Sequence, residues 1–145
     1  MFSRPASLWA LLSQLSRSVP FTKEKVEAQL ATPLRQTSKN DYFTMFGGGG
    51  TKLDHDVVVN NIDLRVRHDG QTHPGFLVLT LTGACVSVAD VQRHFPRTAV
   101  VQTPRGRSVS EQTYLASEEP WGEVSFGFPV SNPGCLTTVV LNPKP

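Results

Sequence analysis

No stretch of this 145-residue chain approaches the run of about 18 apolar residues that a membrane-spanning helix needs, so no helical span is expected. An excess of charge is also missing. Fourteen basic residues against twelve acidic ones leave a formal charge of +2. The basic residues are scattered, and Arg93, Arg97, Arg105 and Arg107 form the nearest thing to a cluster. Nucleic-acid binding calls for a denser basic stripe with aromatic residues interleaved for stacking, so no nucleic-acid partner is expected. The length suits one domain spanning 1–145, which buries roughly two-thirds of its unfolded surface.

Catalytic signatures are absent as well. There is no G-x-S-x-G elbow, and Ser125-Phe126-Gly127 lacks the leading glycine. Neither cysteine has a flanking sequence that suggests an activated nucleophile. His94 lies beside Arg93 in a helical stretch and is expected at the surface. Glu118 and Glu119 are chain neighbours, which does not set them across one scissile bond. The glycine run Gly47–Gly50 before Thr51 and Lys52 invites a phosphate-loop reading. That loop needs Lys before the hydroxyl residue and a helix after it, whereas here the order is reversed and a strand pattern follows. A flexible hairpin tip is the expectation. Asp54, His55, Asp56, His68, Asp69 and His73 are potential metal ligands, but neighbouring strand residues point to opposite faces. They are expected to be solvated loop residues, with no metal and no cofactor.

What the chain does have is one local pattern written twice. Phe21-Thr22 precedes a short helical stretch carrying Val26 and Leu30, and Val86-Ser87 precedes another carrying Val91 and Phe95. Thr22 and Ser87 are suited to cap their helices, and Phe21 with Val26, like Val86 with Val91, has the spacing of a hydrophobic staple. Asp90 stands three residues after its cap, where its carboxylate can reach back. Strand-like runs follow each helix. After the first come Tyr42–Phe46, Val57–Arg67 and Phe76–Thr82, and after the second Ala99–Gln102, Gln112–Ser117, Glu123–Phe128 and Leu136–Leu141. In Val57–Arg67 the alternation sets Val58, Ile62, Leu64 and Val66 on one side and Asp63, Arg65 and Arg67 on the other. Leu8, Leu11, Leu12 and Leu15 form one stripe of an amphipathic helix over about 5–17. That segment has no small-residue cleavage site and reads as packed helix rather than leader.

The fold class that follows is α+β: two tandem α-then-β units, pseudo-repeats over about 18–83 and 84–142, forming one curved antiparallel sheet with the helices on one face. Cys85 and Cys135 lie at element ends beside Gly83 and Gly134. A Cys85–Cys135 disulfide is expected and points to an oxidising compartment, in a bacterium the periplasm. The alternative is two buried free thiols, and with no leader visible the cytoplasm is the alternative location.

The capped helices Thr22–Leu30 and Ser87–Phe95, with Phe76–Thr82 and Leu136–Leu141 closing the halves, resemble the tandem-repeat fold of the beta-lactamase inhibitory protein family. Each half is also similar to a BamE/SmpA/OmlA-type outer-membrane assembly domain. The chain departs from these families in its single expected disulfide, its extra N-terminal helix and its lack of a lipid-anchor Cys. The resemblance implies a non-enzymatic protein binder, an inhibitor or immunity-type protein that sterically blocks an enzyme or bacterial toxin. The alternatives are an envelope-assembly scaffold and a small hydrolase. The candidate partner-binding residues are Trp121, Tyr42, Tyr114, Asp63, Arg65, Arg67 and Glu123. Trp, Tyr and Arg concentrate binding energy because a rigid ring or guanidinium gains contact at little entropic cost. Oligomeric state is left open.

Overall fold

The structure is a computed structural model describing residues 7–67, 75–104, 106 and 111–144. Helix α1 (Leu8–Ser16) starts where the Ser7 hydroxyl accepts the Ala10 N–H, and Pro5 lies outside the described residues. Helix α2 (Lys23–Leu30) is capped by Thr22 and helix α3 (Val88–His94) by Ser87. In α3 the capping box is complete. The Ser87 Oγ accepts from the Asp90 N–H and the Asp90 carboxylate accepts from the Ser87 N–H, both at 3.1 Å. That backbone donor, with the Ser87 hydroxyl, holds the Asp90 carboxyl below its ordinary pKa.

Nine strands form one sheet: β1 (Arg35–Lys39), β2 (Phe43–Gly48), β3 (Thr51–Lys52), β4 (Val57–Arg67), β5 (Phe76–Gly83), β6 (Ala99–Gln102), β7 (Gln112–Glu119), β8 (Gly122–Pro129) and β9 (Thr138–Pro143). Every pairing is antiparallel, in the order β1-β2-β4-β5-β9-β8-β7-β6, with β3 extending the β2 side of β4. Each unit therefore runs from a helix through an edge strand inward, and the last strands of the two units, β5 and β9, pair at the centre. Bulges between Gln36 and Ser38, Val59 and Asn61, and Val100 and Gln102 bend the strands and curve the sheet.

The three helices among the described residues pack on one face. Leu11, Leu15, Phe21, Val26, Leu30 and Val91 join Ile62, Leu64, Leu77, Leu79, Phe126, Val139 and Leu141 in a single core. The staple residues Phe21, Val26, Val86 and Val91 are all buried. Two further ties hold α2 to the sheet. The Glu27 carboxylate accepts the Leu34 N–H at 2.7 Å, and the buried Thr51 hydroxyl donates to the Leu30 carbonyl at 2.6 Å, satisfying a helix-end group. A disulfide joins Cys85, just before α3, to Cys135 in the turn between β8 and β9. Such a bridge is compatible with an oxidising compartment.

Two local expectations are corrected. The bulge at Asn60 shifts the phase of β4, so Val57 and Val59 face the core while Val58 turns outward beside Thr82. The glycine run is not a hairpin tip. Gly47 and Gly48 belong to β2, and both β2 and β3 pair with β4, so Gly49–Gly50 is a kink within one long ribbon. A Cβ at Gly49 would come within 2.3 Å of the Asn60 carbonyl oxygen, so the ribbon closes there only with glycine.

Candidate functional site

Strand alternation puts Leu77, Leu79 and Leu81 of β5 and Val139 and Leu141 of β9 under the helices. The intervening residues go to the other face, which no described helix covers. Cross-strand register orders this open face into rows. One row runs Arg35, Gly47, Asp63, Val78, Val140, Ser125, Ala116, Ala99 across all eight strands of the main path. On one side of it, Met45, Arg65 and Phe76 lie in line, as do Glu123 and Glu118. On the other side stand Asn61, Thr80, Thr138, Gly127 and Tyr114. At about 4.8 Å per strand and 6.8 Å per row, eight strands and three rows cover roughly 38 by 20 Å. That is close to the ~800 Å² one partner contributes to a standard protein interface.

The β1-β2-β4 end is basic and aromatic. The Arg67 guanidinium lies 5.5 Å from the Tyr42 ring centre and 5.3 Å from that of Phe43. Arg65 lies 5.3 Å from the Phe76 ring, and Phe43 meets Phe76 edge-on at 6.2 Å. These cation–π contacts hold the guanidinium groups over the rings. Arg65 also makes a 3.5 Å ion pair with Asp63, yet its Nε is buried and has no acceptor. A buried donor left unpaired costs about 1–3 kcal/mol.

The opposite end is acidic. Glu118 and Glu123 are direct cross-strand neighbours on β7 and β8. A hydrogen bond with Glu118, together with burial and its charge, raises the pKa of Glu123, although the Ser125 hydroxyl donates to Glu123 at 3.2 Å. On the same strand as Glu118, Tyr114 is seated over Gly127, whose missing Cβ would come within 2.8 Å of the tyrosine ring. Burial pushes its phenol above the ordinary value. Gln112 bridges Thr137 and Thr138 beside it.

A carboxyl whose pKa folding has raised binds its proton more tightly in the folded chain, so stability falls as pH rises through the ordinary carboxylate range. Glu123→Gln should therefore stabilise the protein by about 0.5 kcal/mol at neutral pH. The gain should fade at acid pH, where the protonated Glu123 carboxyl is as uncharged as the glutamine amide. Urea denaturation at the two pH values checks this, and a gain independent of pH would contradict it.

The structure thus gathers Asp63, Arg65, Arg67, Tyr114 and Glu123 on one face, with Tyr42 at its β1–β2 rim. Trp121 is not among them. It sits in the β7–β8 turn and packs toward the helices, beside Trp9 and Phe95. Sequence reasoning missed Phe43, Phe76 and Glu118. The period of two that exposes Tyr114 also exposes Glu118, and the one that exposes Arg65 pairs it with Phe76.

Among the described residues no group of three or more His, Cys, Asp or Glu is placed to hold a metal ion. Asp54–Asp56 form a single helical turn before β4, with His55 and Asp56 at positive φ. His68, Asp69, His73, Arg105 and Arg107 lie outside the described residues. No described helix is long and apolar enough to cross a membrane. No family model, no curated protein and no solved structure matches this chain.

Proposed function

We propose that this chain is a protein-binding module of the inhibitor or immunity kind, whose open sheet face docks on an enzyme or toxin and blocks it sterically. The observation that carries the reading is the charge-polarised platform. It has Arg65 and Arg67 stacked on rings at one end, Glu118 and Glu123 paired at the other, and apolar and hydroxyl residues between them. Stacked arginines and a seated tyrosine are the residue types that dominate binding energy, because their geometry is set before the partner arrives. A partner carboxylate would meet the partly exposed Arg65 side chain, and a basic group opposite Glu118 and Glu123 would relieve their repulsion.

Two further features support the likeness to beta-lactamase inhibitory protein. The units α2-β1-β2-β4-β5 and α3-β6-β7-β8-β9 follow the same course, and each carries its bulge in the edge strand. We read them as copies of one building block. With the disulfide, this reading places the protein in an oxidising space such as the periplasm.

The test is capture from extracts of the native host on immobilised protein, followed by titration of the captured partner. Arg65→Ala should weaken binding about 30-fold or more, in line with a hot-spot loss of about 2 kcal/mol. Trp121→Ala should leave it unchanged. Retained affinity in Arg65→Ala and Tyr114→Ala alike would remove the open face from the proposal.

A further inference from the structure

On the helix-bearing side a groove of about 240 Å³ opens between α1, the end of α3 and the β7–β8 turn. Its rings come from three separate elements: Trp9 from α1, His94 and Phe95 from the end of α3, and Trp121 from the turn. These are the only two tryptophans of the chain, and both remain partly exposed. The rings are held in place. Trp9 stacks on His94 at 4.1 Å and 10°, Phe95 lies 6.3 Å from Trp9, and Phe95 rests on buried Phe126 at 5.1 Å.

One carboxylate completes the lining. Glu119 projects to this side because its strand neighbour Glu118 faces the other. The hydroxyl of Ser117, itself 1% exposed, donates to Glu119 at 2.8 Å and fixes its position. Among the described residues no basic side chain reaches ion-pair distance of Glu119. Arg97 borders an adjoining hollow that shares Glu119 without pairing with it. The groove therefore combines the negative faces of Trp9, Phe95 and Trp121 with a carboxylate that no described basic side chain pairs, above an apolar floor of Leu12, Val124 and Leu141.

We infer that this groove binds a small organic cation, an alkylated ammonium group lodged between Trp9 and Trp121 with Glu119 as its counter-ion. An anion would be repelled by the Glu119 carboxylate, and a neutral apolar molecule would leave that carboxylate desolvated without recompense. An alkylated ammonium offers both an apolar surface for the rings and a weakly hydrated charge for Glu119. The volume sits just below the ~300–1,000 Å³ of pockets for drug-sized ligands, which suits a ligand of metabolite size. The site is separate from the open sheet face, so its test is independent of the protein-binding proposal.

Because both tryptophans line the groove, intrinsic fluorescence of the intact chain reports occupancy directly. Titration with choline should give a saturable change, and its neutral isostere 3,3-dimethyl-1-butanol should bind about tenfold more weakly or worse. Glu119→Gln, which keeps the side-chain volume, should weaken choline about tenfold while leaving the isostere unaffected. Trp121→Leu should likewise cost choline more than the isostere. Equal affinity for the two ligands, no saturable change with millimolar choline, or unaltered choline binding by Glu119→Gln would each overturn the assignment.

Discussion

Phe126→Ala should lower the free energy of unfolding by about 3–5 kcal/mol. Phe126 is wholly buried in the middle of β8, with Leu115 and Val139 as its cross-strand neighbours. Above it lies Phe95, the residue that ends α3, with the rings 51° apart. Cutting the ring back to a methyl group removes buried apolar surface and leaves a cavity between a rigid sheet and a short helix. A seven-residue helix has little stability of its own and depends on that packed face. The cavity should therefore close only in part, which places the cost at the upper end for such changes. Urea denaturation followed by fluorescence measures it. A loss below about 1 kcal/mol would mean that α3 does not rest on β8 as described.

Replacing both Cys85 and Cys135 by serine should cost up to about 4 kcal/mol, nearly as much by a different route. The bridge closes a loop with a sequence separation of 50. Its main effect is to restrict the unfolded chain, and a loop of that length loses substantial closure entropy. The bridge also binds the segment entering α3 to the turn that feeds β9. That connection otherwise rests on hydrogen bonds such as Leu136 N–H to the Val86 carbonyl at 2.8 Å. The double variant should keep its fold at room temperature and show its deficit as a lower denaturation midpoint with a steeper slope, because the unbridged unfolded chain exposes more surface. An unchanged midpoint would show that the oxidised unfolded chain is no more restricted than the reduced one.

The helices and the inner strands were legible because their signals are local. The Thr22 and Ser87 caps, the staple pairs, and the alternation of Phe76–Thr82 and Glu123–Phe128 need no tertiary information. Strand β1 was not legible. Arg35–Lys39 is polar and exposed at every position, the usual dress of a protected sheet edge, and carries no apolar period. The Asn60 bulge was equally hidden, and it alone reversed the orientation of Val58. For the site, the charged residues of β4 and β8 declared their face through alternation. Trp121 lies in a turn, where no period of two applies, so only the folded hairpin decides its side.

The pairing of β5 with β9 has a consequence for biosynthesis. On the ribosome, β5 emerges well before β9, so the first unit must wait with the backbone donors and acceptors of Leu77–Thr80 open on its inner margin. Such a margin is a template for the wrong strand. Until β9 arrives, a second nascent copy offers an identical strand, and reciprocal exchange of β9 between two molecules would satisfy both sheets equally well.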